Sequence, residues 1–209
     1  MKILFIQPES TMHERMGLMD LSSNLKAKNH EVHMILADRY SPEGLVEEVE
    51  RFHPDIIGYS VMTSELETVL EINSALKSNS KRKFLSVFGG PHPTFAADEM
   101  IKKDGVDALC VGEGDLVFPE FCSQMERGED FWKTSNFVVN YEGKVFKNPI
   151  GPLVENLDDL LFPDREMMYK ADPGLRENGR KMFFGSRGCP YLCTYCFNAE
   201  YNKMTKGQG

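Results

Sequence analysis

Three cysteines near the end of the chain have a spacing that suits a metal centre. Cys189, Cys193 and Cys196 follow a Cys-x3-Cys-x2-Cys pattern, and the apolar run at residues 182–184 predicts a strand that leads into their loop. Three thiols cannot all pair as disulfides, and we expect no secretory signal, so a metal is favoured over a disulfide. A closed zinc site needs four protein ligands. An iron–sulfur cube held by three cysteines instead leaves one iron open to a small molecule.

This spacing, with the aromatic Tyr195 directly before the last cysteine, resembles the radical S-adenosylmethionine (radical SAM) superfamily. The resemblance implies that Cys189, Cys193 and Cys196 ligate a [4Fe-4S] cluster whose open iron is chelated by S-adenosylmethionine, and that Tyr195 packs near the adenine. It also implies cleavage of the sulfonium to a 5′-deoxyadenosyl radical and an electron donor such as flavodoxin or ferredoxin. A zinc knuckle with a distant fourth Cys or His ligand is the alternative interpretation.

Composition narrows the class of protein and its partners. The 209 residues are 41% hydrophobic and 27% charged, as in ordinary soluble proteins. No apolar run approaches the ~20 residues of a membrane helix, so no membrane partner is expected. A net charge of −8 on scattered residues disfavours nucleic acid as a partner. The five cysteines fit a reducing cytoplasm, with Cys110 and Cys122 expected as buried apolar residues.

Five strand-and-helix repeats fill the first part of the chain, residues 1–127. The apolar runs that predict strands are residues 2–6, 31–36, 55–60, 83–88 and 107–111. This alternation predicts an α/β fold, a flavodoxin-like doubly wound five-stranded parallel sheet of order 2-1-3-4-5 with helices on both faces. Ligands of such sheets bind beyond the carboxyl ends of the strands, at the switch between strands 1 and 3.

The pattern changes after about Arg127. Two apolar runs around Tyr141-Glu142-Gly143 predict a β-hairpin, and the proline-rich residues 148–180 predict a linker with a short helix at 164–169. We therefore assign residues 128–180 to a hairpin and linker.

Residues 181–209 are assigned to the N-terminal fragment of a radical SAM α/β barrel, beginning with a strand at Lys181–Gly185. Only 13 residues follow Cys196, which is too few for a barrel. We expect this chain to be a fragment that is inactive by itself, and we assign no catalytic residue.

The loops at the predicted carboxyl edge carry small and polar residues that suit a cofactor. Ser60, Thr63 and Ser64 supply hydroxyl groups after strand 3. Glycines after strands 4 and 5 let a planar or nucleotide-like group approach the backbone, and a helix follows each loop. The candidate cofactor-binding residues of these two loops are Gly89, Gly90, Pro91, Gly112, Glu113 and Gly114. The alternative is that these glycines only form tight turns.

Other functions of doubly wound sheets are excluded by the same loops. A receiver domain needs an aspartate at the end of strand 3, where this chain has Gly58-Tyr59-Ser60. No Gly-Lys-Ser/Thr run of a P-loop is present. Gly112-x-Gly114 lacks the third glycine of a dinucleotide fingerprint and follows the fifth strand rather than the first.

Taken together, residues 58–63, 89–94 and 112–115 resemble the cobalamin-binding domain that precedes some radical SAM barrels. The resemblance implies that cobalamin binds in the first domain. The loop after strand 3 would face the lower side of the corrin, and the glycines after strands 4 and 5 would line the slot for the nucleotide tail.

One motif of cobalt-ligating domains is not matched. Those domains use Asp-x-His-x-x-Gly after strand 1, and residues 11–17 of this chain lack the aspartate that would orient the imidazole. We expect His13 not to ligate cobalt, so that cobalamin would be bound base-off and His-off. His92, between two prolines, is expected to be a turn or surface residue.

The two resemblances together imply the N-terminal part of a cobalamin-dependent radical SAM enzyme. Methylcobalamin would then donate a methyl group to an unactivated carbon of a small-molecule substrate. A radical SAM cyclase or ring-rearranging enzyme shares this architecture and is the alternative within the same class. From another class, the chain would be a non-catalytic flavodoxin-like module with a zinc knuckle, or a scaffold that has lost cobalamin. The substrate itself is not encoded in these residues.

Overall fold

A seven-stranded sheet organises the chain, as seen in a computed structural model that describes residues 1–11 and 13–206. The strands stand in the order β2-β1-β3-β4-β5-β6-β7. Their bounds are β1 (Lys2–Gln7), β2 (Glu31–Leu36), β3 (Ile56–Ser60), β4 (Leu85–Gly89), β5 (Ala108–Cys110), β6 (Phe137–Tyr141) and β7 (Lys144–Lys147).

The first five strands are parallel, which confirms the predicted α/β fold and the order 2-1-3-4-5. β1 is an interior strand, paired with β2 on one side and β3 on the other. Ile3 pairs with Ile56 and Phe5 with Gly58. β1 is buried from Ile3 to Gln7, as a central strand of a parallel sheet covered on both faces must be.

The predicted hairpin forms, but it extends the sheet rather than standing apart from it. β6 pairs antiparallel with β5, with Ala108 opposite Val139, and β7 pairs antiparallel with β6. Phe137 and Val139 pack into one core cluster and Val138 into the other, so both faces of β6 are covered. The sheet therefore runs past residue 127, while the predicted domain boundaries themselves stay a prediction.

Helices cover the sheet on both faces and divide the core into two clusters. The helices are α1 (Met16–Ala27), α2 (Pro42–Phe52), α3 (Leu66–Asn79), α4 (Pro91–Phe95), α5 (Ala97–Met100), α6 (Val117–Arg127), α7 (Arg165–Ala171), α8 (Pro173–Glu177) and α9 (Asn198–Met204). One cluster packs beneath α1, α6, α7 and α8, and the other beneath α2, α3 and α5. The Ser41 side chain caps α2 by accepting a hydrogen bond from the Gly44 N–H at 3.1 Å, with Pro42 at the first helical position.

The predicted short helix of the linker forms as α7, but the strand predicted at Lys181–Gly185 is wrong. Those residues carry no strand hydrogen bonding, because no strand among the described residues lies beside them. Phe183 and Phe184 are 79% and 56% exposed instead of packed. Residues 207–209 of the predicted barrel fragment lie outside the described residues.

No helix within residues 1–11 and 13–206 combines the length and apolar character that crossing a bilayer would take.

Candidate functional site

A cavity of about 460 Å³ opens at the carboxyl ends of the parallel strands, where ligands of doubly wound sheets bind. Side chains and backbone of β1, β3, β4 and β5 form one side, and the first turns of α1 form another. The remaining side comes from residues 181–206, which we call the C-terminal segment. This segment contributes Phe184, Arg187, Phe197 and Tyr201. The cavity is therefore built by two distant parts of the chain.

Six of the predicted cofactor-binding residues line this cavity. They are Ser60, Gly89, Gly90, Gly112, Glu113 and Gly114. The cavity therefore lies at the edge of the sheet where the sequence predicts a site, and the contacts with a cofactor stay a prediction.

Close backbone approach explains two of the cavity's glycines. A Cβ atom on Gly58 would lie 2.7 Å from the Phe5 ring, so any side chain there would displace that ring. Gly90 has a φ of +94°, and a Cβ atom there would lie 2.9 Å from the Val61 nitrogen. Both positions are needed for the shape of the cavity floor.

The other predicted cofactor contacts do not line this cavity. The Thr63 hydroxyl lies 3.1 Å from the His92 Nδ1, and Ser64 lines a separate cavity of about 540 Å³ between α2 and α3. Pro91 begins α4, and Tyr195 is 92% exposed. Their roles as cofactor contacts stay predictions.

The loop after β1 keeps its histidine away from the cavity. His13 is exposed and is not among the cavity residues. Its neighbour Met12 lies outside the described residues. The expectation that His13 does not ligate cobalt stays a prediction.

Hydrogen bonds hold the loop after β5 in place. Asn136, at the start of β6, donates through Nδ2 to the carbonyls of Val111 at 3.0 Å and Glu113 at 3.2 Å. The Gly112 N–H donates to the Thr94 hydroxyl at 3.1 Å. The loop therefore presents a fixed backbone to the cavity. The sequence carried no local signal of this support, because Asn136 acts across 25 residues.

A charged group that we call the Arg187 cluster lies in the cavity wall. The Arg187 guanidinium donates to both carboxylate oxygens of Asp115, at 2.7 and 3.0 Å, and lies 3.2 Å from Glu113 and 3.5 Å from Asp20. Three carboxylates thus share one cation. Burial, together with the nearby charge of Asp115, raises the pKa of Asp20 to about 6.

Sequence reasoning missed most of this cluster. Glu113 was identified as a loop residue, but Asp20 lies in a helix and Arg187 is 167 residues further along the chain. A single acidic residue in a helix usually indicates a solvated position, so Asp20 gives no local signal. The one available hint is that Arg187 stands two residues before the first cysteine of the motif.

The three motif cysteines lie on one accessible loop. Cys193 is exposed, and Cys189 and Cys196 are half-buried. The Cys196 N–H donates to the Cys193 carbonyl at 3.1 Å, and the Asn202 side chain of α9 donates to the Cys189 carbonyl at 3.1 Å. In the described ranges, no three Cys, His, Asp or Glu side chains are arranged to hold a metal ion. The thiol set has the chemistry of a cluster site, and its ligand role stays a prediction.

A second contact between the two parts of the chain is the Glu14 clamp. The buried Glu14 carboxylate pairs with Arg165 and accepts hydrogen bonds from the Tyr169 hydroxyl at 2.6 Å and the Met182 N–H at 2.8 Å. Burial alone would raise the pKa of Glu14, but the hydrogen bonds from Arg165, Tyr169 and Met182 outweigh it and lower the pKa to about 2. The clamp joins the loop after β1 to α7 and to the start of the C-terminal segment.

Comparison with known proteins adds independent information about the first part of the chain. The family model of the B12 binding domain matches residues 1–122. An uncharacterized methyltransferase of Pyrococcus horikoshii is 28% identical over 99% of this chain and 48% of its own length. The anaerobic magnesium-protoporphyrin IX monomethyl ester cyclase of Synechocystis is 24% identical over 87% of this chain and 37% of its own length.

A solved structure shares the fold. It is the cobalamin-dependent S-adenosylmethionine radical enzyme OxsB with aqua-cobalamin and S-adenosylmethionine bound, with a TM-score of 0.75 and 20% identity. The match covers 93% of this chain and 28% of that one. The chain thus spans about half or less of the length of the proteins it matches.

Proposed function

The chain belongs to the B12-binding domain family, and from this premise we propose that it binds cobalamin as the N-terminal part of a cobalamin-dependent radical SAM enzyme. In this proposal the cavity receives the nucleotide tail of cobalamin. The cysteine loop holds a [4Fe-4S] cluster with S-adenosylmethionine. A cytoplasmic location and a one-electron donor such as flavodoxin or ferredoxin belong to the same proposal.

The observation that carries the proposal is the cavity at the strand ends of a B12-binding fold. Its volume of about 460 Å³ falls in the range of ~300–1,000 Å³ that is usual for small-molecule sites. Rings of Phe5 and Phe118 provide apolar surface, and Ser60 and the Arg187 cluster provide polar groups. This combination suits a ligand tail with a planar base and polar substituents.

The cavity can be blocked without straining the fold. Gly17 lines the cavity in the first turn of α1, and nothing lies within 4 Å of the position where its Cβ would stand. A Gly17→Phe side chain would add a ring at the rim of the cavity, whereas Gly17→Ala adds one methyl group and improves helix propensity by up to about 1 kcal/mol.

Titration with cyanocobalamin, followed by visible absorption, tests the cavity. We expect Gly17→Ala to bind as the wild type does and Gly17→Phe to bind at least tenfold more weakly, at unchanged or higher melting temperature. Equal binding by both variants would place cobalamin elsewhere. No binding by the wild type would remove the cobalamin part of the proposal.

The cysteine loop is proposed to hold the cluster because thiolates are the usual ligands of iron–sulfur centres. When bound, such a cluster supplies the electron that cleaves S-adenosylmethionine. Anaerobic reconstitution of the chain should give a brown protein that loses its colour when Cys189, Cys193 and Cys196 are each replaced by alanine. A colourless protein with one bound zinc would instead support the zinc-knuckle interpretation.

Radical methyl transfer to an unactivated carbon is the reaction class that we propose for the whole protein. It is supported by the name of the Pyrococcus relative, whereas the Synechocystis relative favours a cyclase as the second candidate. The full-length protein, given S-adenosylmethionine, reductant and cell extract as a source of substrate, separates the two. A methyltransferase yields S-adenosylhomocysteine together with 5′-deoxyadenosine, and a cyclase yields 5′-deoxyadenosine without S-adenosylhomocysteine.

A further inference from the structure

Arg187 connects the loop that carries the cysteines to the first part of the chain. It stands two residues before Cys189, and its guanidinium donates hydrogen bonds of 2.7 and 3.0 Å to the two carboxylate oxygens of Asp115. Such a forked arginine–carboxylate pair fixes orientation as well as distance. The backbone that leads into the first cysteine is therefore held against the loop after β5.

The pair is shielded from solvent. The Asp115 side chain is 7% exposed and the Arg187 side chain 28%. Salt screens such a pair much less than it screens a surface ion pair. Within the described residues, the ion pairs that join residues 183–206 to residues 1–127 are all made by Arg187. This side chain therefore carries the charged attachment between the two segments.

The same segment closes one side of the cavity. Phe184, Phe197 and Tyr201 line the cavity together with the strand ends, so a ligand inside would contact both segments. A ligand that binds the closed arrangement better than an open one stabilises the closed one, and the closed one in turn raises ligand affinity. Binding in the cavity and the position of the cysteine loop are then thermodynamically linked.

We propose that Arg187 is a positioning residue that couples the cavity to the cysteine loop, so that cobalamin in the cavity orders the loop that holds Cys189, Cys193 and Cys196. This inference rests on the proposed cobalamin site. It adds to that site a reciprocal effect on the cysteine loop, transmitted through the ion pair of Arg187 with Asp115.

Thiol alkylation measures the coupling without enzymatic activity. The chain is treated with iodoacetamide, with and without saturating cyanocobalamin, and the modification rate of each cysteine is read by peptide mass spectrometry. Cyanocobalamin is used because thiols do not readily displace its cyanide ligand. Cys122 is fully buried and serves as the internal reference for unfolding.

In the wild type, we expect cobalamin to slow alkylation of the three loop cysteines by at least about fivefold, the lower end of usual coupling between sites. In Arg187→Met, their rates without cobalamin should rise and the protection should fall below about twofold, with Cys122 still unreactive. Arg187→Lys keeps the charge but loses the fork, so intermediate protection is expected.

Two variants serve as controls. Arg51→Met removes an exposed ion pair with Glu48 on α2 and should behave as the wild type. The double variant Arg187→Met/Asp115→Asn should lose no more protection than Arg187→Met alone, because both changes break one interaction.

The outcomes separate this inference from the proposed function. Cobalamin that binds without slowing alkylation in the wild type overturns the coupling and leaves the site in place. Protection that survives intact in Arg187→Met assigns the coupling to other residues and overturns the role of Arg187. Failure of the wild type to bind cobalamin overturns both proposals.

Discussion

The Glu14 clamp and the Arg187 cluster join the same two parts of the chain by opposite arrangements of charge. The clamp surrounds one carboxylate with an arginine, a tyrosine hydroxyl and a backbone N–H. The cluster places three carboxylates around one arginine. The pKa of Glu14 accordingly falls to about 2, while burial and a neighbouring negative charge raise the pKa of Asp20 to about 6.

The difference separates a structural contact from one suited to a ligand. Every acceptor of Glu14 is matched by a donor, so the clamp has nothing left to bind. The Arg187 cluster places three carboxylates against one guanidinium and lines a cavity. A ligand group with N–H donors would be attracted to this excess of negative charge.

Breaking the Glu14 clamp should have the largest effect on the stability of the folded chain. Glu14→Gln leaves the Arg165 guanidinium without its counter-charge in a mostly buried position, and we expect a loss of about 3 kcal/mol of unfolding free energy. Urea unfolding measures it. Glu166→Gln is the control, because it removes an exposed pair with Arg176 and should cost no more than about 1 kcal/mol. Equal losses in both variants would show that the clamp is not structural.

The clamp also sets a pH window. The pKa of Glu14 in the folded chain, about 2, lies below its ordinary value of 4.5. Its contribution is therefore complete above pH 4.5 and is lost as the pH falls towards 2. The difference in unfolding free energy between wild type and Glu14→Gln should shrink across that interval. A constant difference would contradict the assignment.

The hydroxyl of Tyr169 should have the next largest effect within the clamp. Tyr169→Phe removes a buried hydrogen bond to a charged acceptor, and we expect a loss of about 2 kcal/mol. Thermal or urea unfolding reports it. Combining Tyr169→Phe with Glu14→Gln should cost less than the sum of the two losses, because the partners share one interaction.

The contribution of Asp20 in the Arg187 cluster to stability should change with pH in the direction opposite to that of Glu14. The pKa of Asp20 is raised from 3.8 to about 6, so its contribution to stability is complete below pH 3.8 and is lost as the pH rises through 6. We therefore expect Asp20→Asn to gain about 1–2 kcal/mol in unfolding free energy relative to wild type between pH 4 and pH 7. Glu67→Gln changes an exposed residue of α3, so its unfolding free energy should follow that of the wild type at every pH. If the unfolding free energy of Asp20→Asn also follows the wild type, the pKa of Asp20 is not raised in the folded chain.

A buried hydroxyl without a partner gives the smallest expected change and sharpens the contrast with Tyr169. The Tyr59 hydroxyl is buried beside Phe88, with no hydrogen-bond partner among the described residues. Tyr59→Phe should leave stability unchanged or raise it by up to about 1 kcal/mol, because no interaction is lost. A loss above 1 kcal/mol in urea unfolding would reveal a partner for this hydroxyl.

The parts of the fold that follow from local pattern were predictable. Apolar runs such as residues 2–6 identify the parallel strands, and Gly58-Tyr59-Ser60 and Gly112–Gly114 mark the edge where the cavity opens. The spacing of the motif cysteines predicts a metal-binding loop, and that role stays a prediction. These signals lie within a few residues of one another.

The parts that depend on distant partners were not predictable. A hairpin pattern does not say which sheet edge it joins, so the sequence predicts five strands in the sheet where the structure has seven. An apolar run forms a strand only beside another strand, which Lys181–Gly185 lacks among the described residues. The contact of Asp20 with Arg187 spans 167 residues and leaves no trace in either neighbourhood.

The two edge strands of the sheet, β2 and β7, have features that oppose self-association. β7 is four residues long and bears Lys144 and Lys147 on an exposed surface, and β2 at the opposite border bears Glu31 and His33. Open strand borders invite further strands to add, and short, charged ones discourage it. Both edges of the sheet thus resist pairing with a strand of another molecule, which would keep concentrated solutions of the chain free of strand-to-strand polymers.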